Sequence, residues 1–483
     1  MKTFLPAHAP TPRPRKALEG DTACDVCVVG GGICGILTAH LLSARGLHVV
    51  LLEAGRLLSG QTRGTTAKIT VQHGLFAHTL LQEMGEARAK AYVSANREAL
   101  GALVTLCQEA GVDCSLSRQD AYLYATGSAA PIEQEAQAYR TLGLDGELVR
   151  SVPAPITVSA ALRMRSQAQY NPFPLLCALS APLTVYEHTR ALSLDGSDVR
   201  TETGTVRAKA VAVCTHYPAF SIPGAYFARL YQERSYTLAL HPGKDTPRIG
   251  GMLYGVSEGD VSLREADGCI LVGGEGHRCG DAGAGEHYAR LRETAARLFP
   301  GSREAAHWSA QDCMTMDSVP YVGRLRAGTP DVYVATGFCK WGMTGSMAAA
   351  QLLCDEIAGS GSPYAHVFSP QRIPGKAYAL ALMAHMGHTA ADFSRNLAPA
   401  LRGADALAPG EGAIVGEGLH KAAAYRDMAG RLYLTSPYCA HMKCLLRFNP
   451  DETSWDCPCH GSRFAVDGKL LCGPAQHGLP RMG

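Results

Sequence analysis

The stretch Cys24–Glu53, CDVCVVGGGICGILTAHLLSARGLHVVLLE, decides the fold. Cys24-Asp25-Val26-Cys27-Val28-Val29 is a short apolar run of strand character, Gly30-Gly31-Gly32-Ile33-Cys34-Gly35 follows at once, and a helical pattern continues through Ala44. The glycines form a G-x-G-x-x-G: Gly30 makes the tight turn, Gly32 lets the backbone approach a pyrophosphate, and Gly35 allows the helix to pack closely on the strand. The helix N-terminus, with its unpaired amides, then faces the phosphates. Gly46 ends the helix, His48 to Leu52 form a second strand, and Glu53 closes it where the acceptor for ribose hydroxyls belongs. A carboxylate there suits FAD or NAD and repels a 2′-phosphate. The glycine turn alone is a weak signal; in this context it predicts a dinucleotide-binding α/β domain. Cys24 and Cys27 have the spacing of a redox pair but lie in the strand, so they are read as core residues.

The other end of the chain carries a second chemistry. Cys439-Ala440-His441 is followed, after the spacer 442–456, by Cys457-Pro458-Cys459-His460. Each loop offers one thiolate and one imidazole, the ligand set of a Rieske [2Fe–2S] centre, with Cys439 and Cys457 on one iron and His441 and His460 on the other. Cys/His clusters also serve zinc sites and disulfide knots. Two features favour the cluster: each loop has a further cysteine, Cys444 and Cys459, and Gly461-Ser462 would bring a hydroxyl towards a cluster sulfur. Zinc requires neither. The segment from Cys439 to Phe464, with Gly473-Pro474-Ala475, closely resembles the Rieske domain of cytochrome bc-type complexes and related flavoproteins. The resemblance implies a disulfide between Cys444 and Cys459.

Three further segments bear on the choice between FAD and NAD: GQTRGTTAKITVQHG from Gly60, HWSAQDCMTMDSVPYVG from His307 and DVYVATGFCKWGMTG from Asp331. They resemble signatures of the D-amino-acid oxidase and sarcosine oxidase superfamily, specifically its members fused to a C-terminal Rieske domain. The likeness runs from Cys24 onward over nearly the whole chain and implies FAD. Val332 to Ala335 reads as a strand, Gly337 as a turn and Met343 onward as a helix, so a second helix N-terminus points inward. The resemblance implies that Gly337, Phe338, Lys340, Trp341, Gly342 and Met343 line the isoalloxazine. It places Thr65, Thr66 and Lys68 against the pyrophosphate and ring, chiefly by backbone. Arg190 and Ala191, after the strand Leu183 to Tyr186, would meet the adenine through their main chain.

In sarcosine oxidases a cysteine in a comparable context is joined to the flavin; Cys313-Met314-Thr315 matches that context only in part, so Cys313 is expected to pack as a small hydrophobe. Gly280 to Gly285 has close glycines but no strand running into it, and is expected to be a surface loop.

Composition agrees with a large redox enzyme. The chain has 483 residues, 46% apolar and 18% charged, with a net charge of +2, which gives no electrostatic case for nucleic acid. No apolar run reaches the length of a membrane span, and the proline-rich start has no secretory pattern. With 17 cysteines this predicts a reducing, cytoplasmic setting. The expected organisation is an N-terminal arm (1–22), a Rossmann-like FAD-binding domain interleaved with an α+β substrate domain (23–368), a helical linker (369–405) and a small all-β Rieske domain (406–483). The substrate portion is expected at 77–181 and 226–306, and the linker helix from Lys376 to Asn396. Met383, His385, Met386 and His388 on that helix are read as an interface face rather than as ligands.

Electron counting then constrains the activity. A flavin takes two electrons together and a Rieske cluster takes one, so the pair converts a hydride into single electrons. The resemblance implies oxidation of an amine or amino acid at the flavin, with exit through His441 or His460 at an exposed edge of the cluster to an external acceptor, a protein or a quinone. A 2-hydroxy-acid dehydrogenase and a redox carrier without small-molecule turnover are the alternatives. Lys340, His277, Arg278 and Tyr254 are candidates for orienting substrate or stabilising charge on the flavin.

The cluster environment yields a prediction. Ser462 is present, but the tyrosine usual two places later in bc-type proteins is Phe464, so one donor towards the cluster is missing, while the implied disulfide belongs to the higher-potential branch. The midpoint potential should fall below bc-type values and above those of plant-type ferredoxins, about −400 mV. A redox titration followed by EPR checks this, and a potential outside that interval refutes it.

Overall fold

Val26 to Val29 are buried, as expected of a strand inside a parallel sheet with both faces covered. In the computed structural model, which describes residues 9–482 apart from positions 282, 284, 330, 373, 374, 398, 401 and 419, the strand Thr22–Val29 lies parallel between Thr205–Val213 and Val49–Leu52. Val332–Thr336 and Thr184–Tyr186 extend the parallel sheet on either side, and Tyr321–Arg324 adds an antiparallel edge. Side chains alternate between two cores: Val26 and Val28 face the one that holds helices Ile33–Ala44 and Gly342–Ile357, while Cys27 and Val29 face the other. Cys24 also packs in the second core, so both cysteines of the redox-type spacing are core residues. Positions 1–8 of the expected arm lie outside the described residues.

The glycine turn works by contact distance. Gly30 has φ +111, and a Cβ on Gly35 would lie 1.9 Å from the Gly30 carbonyl oxygen, so the helix Ile33–Ala44 can approach this closely only with a glycine there.

A second, largely antiparallel sheet runs in the order Arg303–Thr315, Leu230–His241, Cys269–Arg278, Ser262–Ala266, Met252–Gly255, Ser117–Ala125, Ala160–Gln169 and Lys68–Ile69. It differs from the expected substrate portion at both edges. Arg303–Thr315 pairs along its length with Leu230–His241, carrying the sheet past 306, and Lys68–Ile69 joins the opposite edge. Helix Pro172–Ser180 packs instead on Ile33–Ala44, on the nucleotide side. Such pairings between distant segments leave no trace in local periodicity.

The linker helix spans Lys376–Ser394. Beyond it, a sheet of Gly412–Glu417, His420–Arg426 and Leu432–Thr435 accompanies a sheet of Arg447–Asn449, Ser454–Asp456, Arg463–Ala465 and Leu470–Cys472. Trp455, Phe464 and Leu446 form its core together with Cys439, Cys444, Cys457 and Cys459. Among the described residues, no helix is long and apolar enough to cross a membrane.

This C-terminal unit is seated on the second sheet. The side chains of Arg234 and Asp456, 0% and 2% exposed, pair across the seam at 3.1 Å. Burial alone would raise the Asp456 carboxyl, but Arg234 and Arg463 hold it below the usual range. Gln232 Nε2 donates to the His460 carbonyl at 2.6 Å and Gln311 Nε2 to that of Gly461 at 3.0 Å. Gly280, which opens the loop expected at the surface, is part of this seam, while Asp281 and Gly283 are exposed: a Cβ on Gly280 would lie 2.4 Å from Pro458 Cα, and Arg447 Nη1 donates to its carbonyl at 2.8 Å.

Removing one member of a buried pair strands the other's charge. Asp456→Ala should lower stability by about 3–5 kcal/mol, read as thermal unfolding of the full-length holoprotein; a melt unchanged from wild type would show that the seam does not depend on the pair.

Candidate active site

The carboxyl ends of the parallel strands open onto a cavity of about 850 Å³, bounded by both sheets and by the C-terminal unit. At one end lie Gly30, Gly32, Glu53, Arg190 and Ala191. Glu53 is held by the turn it serves, accepting from the Gly31 amide through Oε2 and the Gly55 amide through Oε1, both at 2.7 Å. Burial raises its pKa, offset in part by those amides. A Cβ on Gly30 would meet the Cys214 carbonyl oxygen at 2.6 Å, so close backbone packing shapes this end of the cavity. The bare glycine turn, the helix N-terminus and the carboxylate at the strand end fit the diphosphate and ribose of a dinucleotide.

At the other end lie Thr65, Thr66, Lys68, Tyr254, Phe338, Lys340, Trp341, Gly342 and Met343. Gly337 has φ +76 and a Cβ there would strike Thr315 Cγ2 at 2.3 Å; Cys339 and Lys340 follow with φ +48 and +74 before helix Gly342–Ile357 begins. Non-glycine residues held left-handed in succession store strain of about 1–3 kcal/mol each, as at many functional turns. Gly337 adjoins the cavity residues in the turn but is not itself in the lining.

Trp341 stacks on His73 at 5.1 Å and meets Tyr254 at 5.2 Å, forming an aromatic wall. Lys340 Nζ pairs with Glu233 Oε2 at 2.8 Å. Burial opposes its charge, but Tyr254, Glu233 and Asp312 together raise its pKa, so it stays an ammonium. Burial pushes the Asp312 carboxyl up to about 6, against the pull of Lys340. Lys68 donates to the Leu253 carbonyl at 2.7 Å and to Ser262 Oγ, and burial with nearby Arg264 lowers its pKa to about 7. Its side chain is thus committed to the second sheet, which leaves its backbone for a cofactor.

Two sequence candidates do not reach the cavity lining. Gly276 is the residue facing Lys340, since a Cβ added to it would lie 3.6 Å from Nζ, and strand alternation turns His277 to the opposite face. There His277 stacks with His287 at 4.5 Å and its Nε2 lies 3.1 Å from Tyr236 Oη. Arg278 lies over the Tyr231 ring, with Nη2 2.9 Å from His385 Nδ1. Of the linker stripe, His385 is thus turned inward, while Met383 and Met386 are exposed, so the four residues do not converge. Cys313 lines the cavity, buried, and burial raises its thiol to about 12.

The Cys/His loops converge as their spacing suggests. His441 and His460 have ring centroids 5.0 Å apart, and both Nδ1 atoms are buried without a hydrogen-bond partner. Two orphaned imidazole nitrogens beside two thiols are the unfilled valences of a ligand set. The Cys439 thiol is lowered by Cys457 first, then by the His441 and Met442 amides and the Ser462 hydroxyl, which favours thiolate. Cys444 and Cys459 are disulfide-bonded. Of the imidazole edge, expected to be exposed, the His460 side is covered: His460 is 1% exposed, its Nε2 3.0 Å from the Phe227 carbonyl oxygen. His441 is half-buried.

Sequence reasoning missed Glu233, Asp312 and Tyr217, along with the lining contributed by Leu471, Cys472 and the loop Gly473-Pro474-Ala475. Asp312 lies within the quoted segment 307–323, but an acidic residue on a strand reads as a solvated face until the partner sheet is known.

Residues 25–356 match the family described as FAD dependent oxidoreductase, and residues 403–482 match the Rieske [2Fe-2S] domain. A Bacillus subtilis (strain 168) protein, YhfW, described as a Rieske 2Fe-2S iron-sulfur protein, is 36% identical over 484 residues, covering 95% of this chain and 93% of its own. The glycine oxidase of Geobacillus kaustophilus (strain HTA426) is 24% identical over 369 residues, covering 69% of this chain and 92% of its own. The crystal structure of glycine oxidase from Geobacillus kaustophilus superposes with a TM-score of 0.62 at 19% identity, covering 73% of this chain and all (100%) of that one; L-proline dehydrogenase from P. horikoshii gives 0.62 at 18%, covering 73% and 98%. These superpositions speak to the fold. The chain belongs to the FAD dependent oxidoreductase family and carries a C-terminal Rieske domain, binding FAD and a [2Fe–2S] cluster.

Proposed function

We propose that this oxidoreductase oxidises the C–N bond of a small amine or amino acid and delivers the electrons singly, through its Rieske domain, to an external acceptor, a protein or a quinone. When bound, FAD supplies a hydride acceptor and the [2Fe–2S] cluster a one-electron relay. The observation that carries the reading is a shared wall: Gly473, Pro474, Ala475 and Gln476 of the Rieske domain line the same cavity as Lys340 and Trp341. A domain serving only as a surface carrier has no need to close over the flavin cavity. The sequence likeness to the Geobacillus kaustophilus glycine oxidase, 24% identical over 369 residues, supports a C–N bond over a hydroxyl.

The residues divide the work. Trp341 and Tyr254 offer an aromatic wall that packs a small substrate and excludes water, and His73, outside the lining, stacks on Trp341 and supports it. Lys340 donates one of its three N–H groups to Glu233 and keeps two for a substrate carboxylate or for negative charge on the bound cofactor. Tyr254, its pKa raised by burial, remains a neutral donor. Asp312 is the proton acceptor: a substrate ammonium must lose its proton before its carbon can release hydride, and a carboxylate titrating near pH 6 takes that proton at neutral pH.

Anaerobic mixing with a panel of amines, amino acids and 2-hydroxy acids tests the reading. A C–N substrate should bleach the flavin and then bring up the EPR signal of the reduced cluster. Flavin bleaching with a permanently oxidised cluster would rule out the internal path, and turnover of hydroxy acids alone would reassign the substrate class.

The pH profile tests Asp312 separately. Its ionised fraction grows as pH climbs through about 6, so kcat/KM should rise over that window. Asp312→Asn should remove the rising limb and lower kcat/KM by about 10²–10⁴; an unchanged profile would clear Asp312 of the role.

A further inference from the structure

Tyr217 stands in the wall between the two cofactor sites. It follows strand Thr205–Val213 in the turn beyond Cys214, lines the flavin cavity, and is 4% exposed. On its other side its ring meets both imidazoles of the Rieske domain edge-on, His441 at 6.4 Å and His460 at 6.1 Å between centroids. One side chain of the flavin domain therefore touches the cavity and both histidines. Its hydroxyl is buried with no hydrogen-bond partner among protein atoms, and its contacts with the two imidazoles are made by the ring.

The contact is held from both sides. Phe227 presents its carbonyl to His460 Nε2 at 3.0 Å, and Gln232 grips the His460 carbonyl at 2.6 Å. A Cβ on Gly461 would lie 2.9 Å from Gln232 Cβ, so the loop carrying His460 cannot move closer, and the buried Arg234–Asp456 pair opposes its moving away.

We propose that Tyr217 is the bridging residue that couples the flavin cavity to the imidazole edge of the cluster site, and that this contact is permanent rather than made and broken by movement of the Rieske domain. The inference rests on the internal electron path proposed above and deepens it by naming the residue between the two sites. In each transfer one electron leaves the reduced flavin and the cluster gains one; Tyr217 keeps its proton and its electrons, acting only as the medium.

The test uses full-length protein loaded with both cofactors. The flavin is photoreduced by a flash in the presence of an external donor, and its absorbance is followed with freeze-quenched EPR of the cluster. Tyr217→Phe, which keeps the ring, should transfer at the wild-type rate. Tyr217→Leu should slow transfer by about an order of magnitude while cluster g-values and both midpoint potentials stay at wild-type values, a combination that mere structural damage would not give. A Leu variant with both cofactors bound and the wild-type rate overturns the inference, as does a Phe variant as slow as the Leu variant. If the Leu variant fails to load, Tyr217→Met is read by the same criteria. A wild-type cluster that never takes electrons from the flavin would instead overturn the internal path itself, a different result from an unaffected Leu variant.

Discussion

Arg234 and Asp456 are both removed from water, and the rest of the arrangement depends on their meeting. A buried ion pair adds little net stability over well-packed apolar residues, but it penalises every geometry in which the two charges part. Here Asp456 lies on a strand of the Rieske domain between Cys439 and Cys457 in the chain, and Arg234 lies on the substrate-sheet strand next to the edge strand Arg303–Thr315. The pair therefore holds a small domain, attached by a helical linker, in one orientation. That orientation brings the imidazole edge against Tyr217 and Phe227, and the Gly473-Pro474-Ala475 loop over the flavin cavity.

The flavin cavity is built by close backbone approach. Gly30 and Gly35 bring strand and helix together where any side chain would collide with a carbonyl. At the far end, Gly337, Cys339 and Lys340 hold a left-handed turn that ends in the N-terminus of helix Gly342–Ile357. The strain there is sustained by surrounding contacts: the Cys339 amide donates to the Cys313 carbonyl at 3.1 Å, and the Trp341 amide to that of Phe338 at 2.9 Å. The result gathers Lys340, Trp341 and Asp312 around one cavity, three residues whose charge and shape a small polar substrate can read.

Local chemistry was legible wherever it is local in the chain. The glycine turn, Glu53, both Cys/His loops and the strand-to-helix junction at Gly337 each depend on residues within a few positions of one another, and the structure has each as a compact unit. His277 and Arg278 show the limit. They are polar residues at the end of a strand beside the substrate region, but a period of two decides which face each takes, and the bulge opposite Arg234 and Tyr236 shifts the register. Gly280 shows it again: no local feature reveals that Pro458 packs against it.

By itself the sequence determined the chemistry: a dinucleotide cradle at one end and a two-thiolate, two-imidazole ligand set at the other, because those sites are made by short segments with strict contact requirements. Only the tertiary structure decided that the two share a wall, that the imidazole edge faces inward, and that Glu233 and Asp312 attend Lys340. Those facts rest on pairings between residues far apart in the chain, such as Leu230–His241 with Arg303–Thr315 and Arg234 with Asp456, and burial gives them their energy only once the distant segments have met.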